Sequence, residues 1–316
     1  PAPAPRYRPS TSWAYHVPMT TLTSQGPATR GVPVGVRTHL AHAALQVIAQ
    51  EARVQVLHVK GPAVDPSLGR PLRSATDADV VVRPTQVARY VEALADHGWE
   101  HVTSFATGSV FEHAATFYHP SWGYADVHRV FPGMTATQAF AVLWADRRLQ
   151  AVAGLPCPVP SLTAQRLLLL LHVARNGSGS LDPDYERAWV RADAAERARI
   201  RRLAVSVGAQ VGLAAALGEL DRYAADPAHD LWFVLAHGGT SRLEEWRARF
   251  RAAPGPAAKT RVVARSLLVN TDHLAMRLGR RPSHGEVAAE FAGRLTRAVG
   301  EARTFLHRTD HERRQT

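Results

Sequence analysis

Apolar residues recur at helical spacing from about Val36 to Ala52 (Leu40, Ala43, Ala44, Ile48), which predicts a helix. Val54 to Val59 then runs apolar and predicts a short strand ending at Lys60-Gly61. A stretch rich in proline, serine and glycine continues to Thr76, where Asp77-Ala-Asp-Val-Val-Val82 opens a second strand closed by Arg83-Pro84. Thr85 to His97 has an amphipathic pattern and stops at Gly98, as a helix with a C-terminal glycine does. Three β-prone segments follow, Trp99 to Phe105, Val110 to Tyr118 and Tyr124 to Val130, with turns at Gly108, Pro120 and Gly123.

Beyond Pro132 the period changes. Helical patterns cover Thr163 to Arg175, Ala194 to Leu220, Leu231 to Ala236, Arg242 to Ala252, Ala257 to Leu278 and His284 to Leu306. One short extended piece is expected at Leu155 to Pro160, and there is no internal repeat. The expected class is α+β: a small mixed sheet flanked by helices, then an all-helical C-terminal region. The chain divides into a flexible Pro-rich arm (1–34), a catalytic core (35–150) and a helical domain (151–316).

The chemistry concentrates where the second strand begins. Asp77 and Asp79 are two residues apart, so an extended backbone points both carboxylates to one face. Such a pair is costly without a cation, which makes a divalent metal site the first expectation. Asp126 and His128 repeat the spacing on a later strand and add a third carboxylate. Three carboxylates on neighbouring strands suit two metal ions about 3.5–4 Å apart, the arrangement used for phosphoryl and nucleotidyl transfer. Lys60-Gly61 lies upstream, where glycine allows a sharp turn or a close approach to phosphate.

The ordered motifs Lys60-Gly61, Arg73-Ser74-Ala-Thr-Asp77-Ala-Asp79 and Asp126-Val-His128 resemble the polymerase β-like nucleotidyltransferase superfamily. They are most similar to its uncharacterised nucleotidyltransferase branch. The likeness spans roughly Leu57 to Arg175 and includes the helical run Leu167 to His172. It implies Asp77, Asp79 and Asp126 as catalytic metal ligands, with Asp126 alternatively activating the acceptor hydroxyl. It also implies Lys60, Gly61, Arg73 and Ser74 as nucleotide-binding residues. The cofactor implied is Mg2+ or Mn2+, and the substrates are a nucleoside triphosphate, ATP among them, and a hydroxyl-type acceptor, a small molecule or peptide natural product. The same arrangement is similar to toxins that modify transfer RNA. The superfamily's Gly-Ser pair is Gly61-Pro62 here, which removes a hydroxyl and a backbone donor from the triphosphate side.

Several residues keep two readings. Lys60 touches phosphate or pairs with a strand carboxylate, and Arg73 clamps phosphate or neutralises the aspartates. His128 orients a carboxylate outside the metal's direct ligands or is a half-buried strand histidine. His113, His119 and His128 have no zinc spacing, and His172 reads as a core histidine one turn from Arg175. Metal-dependent phosphohydrolysis and nucleotide binding without turnover are the competing functions.

Composition adjusts this little. The chain carries a net charge of +11, and residues 242–316 contain 16 basic against 8 acidic side chains. That excess suits a polyanion, but arginine outnumbers lysine 36 to 2, a bias that also accounts for it without a partner. A single cysteine, Cys157, excludes a disulfide framework and fits a reducing, cytoplasmic setting. No run approaches the length that spans a bilayer, and the Pro-rich N-terminus lacks the apolar core of a signal peptide.

Overall fold

Alternation along each strand decides what lies on either side of the sheet. In this computed structural model, residues 31–69, 75–105, 113–134, 136–238, 242–278, 280–293 and 296 are described. Strands β1 (Val56–Val59), β2 (Asp77–Val82), β3 (Glu100–Thr103), β4 (Ala114–His119) and β5 (Gly123–His128) form one mixed sheet in the order β1-β2-β5-β4-β3. The central pair β2–β5 is parallel and the others are antiparallel.

Ala78, Val80 and Val82 of β2 face a core that includes Ala115 and Phe117 of β4 and Ala125 and Val127 of β5. The helices α1 (Val34–Glu51) and α2 (Val87–Asp96) close that side through Leu45, Ile48, Tyr90 and Leu94. The opposite face carries Asp77, Asp79 and Val81, in register with Tyr124, Asp126 and His128. Leu57, Val59 and Val81 on this face join a second core built on α4 (Leu162–Asn176), whose Leu167 to Leu171 are all buried. The acidic face therefore looks toward the helical part of the chain.

Helix α3 (Ala136–Ala145) and a hairpin, β6 (Arg148–Val152) with β7 (Leu155–Val159), connect the two parts. The hairpin exceeds the single extended piece expected at Leu155 to Pro160. Its turn is Ala153-Gly154, both at positive φ, a favoured two-residue hairpin geometry. β7 is that expected piece, its Pro156 and Pro158 tolerated because a two-stranded ribbon has free edges, and β6 is the strand that was not expected.

Beyond α4, the described part of the helical region holds a short α5 (Pro183–Tyr185), which runs into a π-helical turn at Glu186–Val190, and six longer helices. These are α6 (Ala194–Ser206), α7 (Gln210–Leu217), α8 (His229–His237), α9 (Arg242–Ala252), α10 (Gly255–Leu267) and α11 (Thr271–Leu278), with further helix at 284–293. Two helices read as continuous are each broken. Gly208, at φ 70°, ends one between α6 and α7, and an extended Leu268 ends the other between α10 and α11. Asp193 starts α6 by accepting the Glu196 amide at 2.6 Å. The expected arm (1–34) lies outside the described residues up to position 30, as do Gly108 and the end of the last expected helix. Among the described residues no helix is long and apolar enough to cross a membrane.

Candidate active site

Parallel pairing of β2 with β5 puts Asp79 directly beside Asp126. Adjacent strands lie roughly 4.8 Å apart, so two carboxylates on one face in register are forced together. Asp79 is 3% exposed, and Asp77 and Asp126 are half-buried. Ligand atoms of Asp79, Asp126 and His128 all lie within 4.8 Å of one another.

The hydrogen bonds leave a specific pattern of open oxygens. Lys60 Nζ and His128 Nε2 both donate to Asp79 Oδ1, the histidine at 2.8 Å. Thr116 Oγ1, from the paired position on β4, donates to Asp126 Oδ1 at 2.7 Å. The Oδ2 atoms of both aspartates remain uncommitted to other described residues. Because a carboxylate only accepts, His128 carries its proton on Nε2 and orients Asp79. That contact is what the orienting reading of His128 requires, although the residue is fully buried and not half-buried.

Electrostatics separate the carboxylates. Burial alone would raise the Asp79 pKa, but the Lys60 ammonium and the His128 hydrogen bond overcome it and hold the carboxyl well below the usual range. Asp77 is pushed up to about 7 by burial and by the like charges of Asp79 and Asp126, with Lys60 and Thr76 offsetting only part. Three carboxylates thus share one directly bonded ammonium, a deficit of positive charge that a divalent cation fits. Two uncommitted carboxylate oxygens beside a third carboxylate are hard donors of the kind magnesium and manganese take.

Lys60 reaches this cluster through an unusual backbone. Strand alternation assigns position 60 to the α1 side, with Val56 and His58. At φ 57° and ψ −173° the chain leaves the strand, and the ammonium meets Asp79 on the other face. A non-glycine residue in that region costs about 1–3 kcal/mol, and such strain gathers at functional sites. Gly61 follows at φ 44°, where a Cβ would stand 2.9 Å from Ala75 Cβ, so the turn also requires glycine for space. Arg73 and Ser74 lie outside the described residues.

Six further residues surround the cluster without having been picked out as its parts. Thr116 holds Asp126, as above. At the C-terminal end of α4, Arg175 donates from Nη1 to His113 Nε2 at 3.2 Å and from Nη2 to His172 Nδ1 at 3.1 Å. His113 stacks on His128, with ring centroids 5.2 Å apart. The signal for Arg175 was a charge and a histidine one turn apart at the end of an otherwise greasy helix. At the other end of the acidic face, Tyr118 and Tyr124 form a half-buried ring pair 5.0 Å apart, with Tyr124 in register with Asp77.

Residues 34–217 match the model of a family described as uncharacterised nucleotidyltransferases. No curated protein matches the chain. Two solved structures are similar to parts of it. One is a lincosamide antibiotic adenylyltransferase, LnuA, bound to lincomycin: 17% identity and TM-score 0.31, over 52% of this chain and 94% of that one. The other is the antibiotic-resistance factor ANT(2'')-Ia: 16% identity and TM-score 0.34, over 60% and 93%. At those scores neither likeness carries weight for fold or acceptor.

Proposed function

We propose, from the premise that this chain belongs to the family of uncharacterised nucleotidyltransferases, that it moves a nucleoside monophosphate from a nucleoside triphosphate to a hydroxyl-bearing acceptor in a reaction that depends on a divalent cation. The observation that carries this reading is the Asp79–Asp126 pair, side by side in register, with Asp77 on the same face. Magnesium or manganese would be held by Asp77, Asp79 and Asp126, and bound there it supplies positive charge against the phosphates.

The chain's own residues divide the remaining work. Lys60 and His128 fix Asp79 through one oxygen and leave the other to coordinate. Thr116 does the same for Asp126 with a neutral hydroxyl, leaving its Oδ2 to receive a proton. The acceptor oxygen attacks the α-phosphorus while the bond to the bridging oxygen of the β-phosphate breaks and pyrophosphate leaves. The acceptor's proton passes to Asp126. Lys60 and Gly61 flank the phosphate side of this arrangement, Arg73 and Ser74 are further nucleotide-binding residues by resemblance to the family, and the helical region (151–316) contributes the acceptor pocket. The acceptor we favour is compact: a small molecule or a peptide natural product.

The test is incubation with each α-labelled triphosphate, magnesium and candidate acceptors. Release of pyrophosphate with label on the acceptor is expected, and Asp79→Asn or Asp126→Asn should abolish it while leaving the far-UV circular dichroism unchanged. Orthophosphate release would make the protein a phosphohydrolase, and label on transfer RNA alone would replace the compact acceptor. Full turnover by either variant would sink the assignment.

A further inference from the structure

A guanidinium taken out of water ordinarily meets a carboxylate, because an unpaired buried charge is expensive. Arg175 does not. Its partners are two imidazole nitrogens, His113 Nε2 and His172 Nδ1, and among the described residues no carboxylate lies within ion-pair distance of it. Arginine N–H groups can only donate, so both of those nitrogens must present a lone pair. The histidines therefore aim the guanidinium without cancelling its charge. Burial lowers the His113 pKa well below its ordinary value, with the His128 ring and Arg175 pushing the same way, which keeps this partner neutral.

The guanidinium also points to the right place. Burial lowers the Arg175 pKa, while Asp79 and Asp126 act on it across space and pull it back. His113, its partner, stacks on His128, which in turn bonds Asp79. Lys60 is already committed to Asp79. Among the described residues, a positive charge left over beside the acidic cluster thus belongs to α4, and it has a planar fork suited to phosphate oxygens.

We propose that Arg175 binds the phosphate chain of the nucleoside triphosphate, with His113 and His172 as its positioning residues; this rests on the nucleotidyl-transfer reading of the same site. It gives the helical region a part in nucleotide binding as well as in acceptor binding. The guanidinium bridges the two when the triphosphate arrives, so α4 becomes a sensor of the β- and γ-phosphates.

The experiment compares binding of an α,β-methylene triphosphate analogue and of the matching monophosphate by the full chain, with calcium in place of magnesium to prevent turnover. Arg175→Gln should weaken triphosphate binding by about 30-fold and monophosphate binding by less than about 3-fold. Arg175→Lys, which keeps the charge but loses the fork, should fall between wild type and Arg175→Gln. His172→Phe should raise KM for the triphosphate by about 5–10-fold with kcat within about 2-fold. Thermal melting and near-UV circular dichroism confirm that each variant is folded. If wild type neither binds the triphosphate nor releases pyrophosphate, the transfer reading itself has failed. If wild type does both and Arg175→Gln binds the triphosphate equally tightly, only the role of Arg175 is overturned. Equal losses for triphosphate and monophosphate in both arginine variants would likewise overturn it, by marking the residue as structural.

Discussion

Asp77 is the least comfortable residue of the site, and its discomfort has a measurable sign. In the metal-free fold its pKa stands near 7, raised first by burial and then by Asp79 and Asp126. An unfolded aspartate titrates near 4, so between about pH 4 and pH 7 the folded protein holds the extra proton. Stability from this group is greatest at the acid end and is lost as pH rises through 7, on the order of a few kcal/mol. Asp77→Asn removes the penalty and should raise the Tm of the metal-free protein at pH 8 while destroying activity. Below about pH 4, where the carboxyl is protonated folded and unfolded, the two proteins should melt alike. Magnesium binding at pH 6.5 should release close to one proton, read by calorimetry in buffers of different ionisation heat, and the release should fade by pH 8.5. If Asp77→Asn were the less stable protein at pH 8, the electrostatic account of this residue would be wrong. A second titrating group works in the opposite sense on the acid side. His42 Nδ1 lies 2.9 Å from His58 Nδ1, and His58 Nε2 lies 2.9 Å from Gln46 Oε1, a buried chain joining α1 to β1. Burial lowers the His42 pKa to about 4 and that of His58 well below its ordinary value. Both must gain protons to unfold in acid, so stability from them is intact above about pH 6.5 and drains as pH falls toward 4. His42→Ala strands the His58 nitrogen and should cost about 1–3 kcal/mol in urea unfolding at pH 7.5.

At the scale of elements, period-two alternation made most of the sheet legible. Asp77-Ala-Asp-Val-Val-Val82 reads as one acidic position set and one apolar set, and the strand places them on opposite faces as that period requires. What no local pattern contains is strand order. Asp126 becomes the neighbour of Asp79 only because β5 inserts beside β2 in parallel, a long-range choice. Thr116 was silent for the same reason, since its importance comes from lying opposite Asp126 on β4. Arg175 was hidden because a sequence cannot say that the end of α4 returns to the sheet. β6 was missed because Arg148-Leu-Gln-Ala-Val152 has a single β-branched residue, and the α6–α7 break because helically spaced apolar positions (Leu203, Val207, Val211) continue across Gly208. Gly212 in α7 is a further case, because helix propensity favours alanine there by about 1 kcal/mol. Packing opposes it: a Cβ at 212 would stand 2.7 Å from Leu171 Cδ2 and 2.7 Å from Trp232 Cζ2. Overpacking costs about 1–3 kcal/mol, so Gly212→Ala should be net destabilising despite the better propensity, by about 1–2 kcal/mol in urea titration. A gain in stability would show that α7 can slide away from α4 and α8 without penalty.

Across the whole molecule, one apolar core runs from the sheet into the helices. Leu57, Val59 and Val81 of the catalytic face share it with Leu167 to Leu171 of α4, Ile200 of α6, Leu213 of α7 and Trp232 of α8. Cutting the chain between the core (35–150) and the helical region (151–316) would expose the β1 and β2 side chains of that face and most of α4. Burying apolar surface is worth roughly 25 cal/mol per Å², so neither piece keeps enough burial on this side to offset its ordering entropy. The two regions are therefore expected to unfold in one calorimetric transition, with van't Hoff and calorimetric enthalpies agreeing. The same coupling makes a prediction about ligands. A triphosphate analogue that bridges the carboxylates of β2 and β5 to Arg175 of α4 should raise the single Tm as one peak, by RT ln(1 + [L]/Kd). Magnesium alone, which needs only the sheet carboxylates, should raise it less. Two resolved transitions, only one of them shifted by nucleotide, would instead mean that the shared core contributes little and that the helical region moves independently of the sheet it covers.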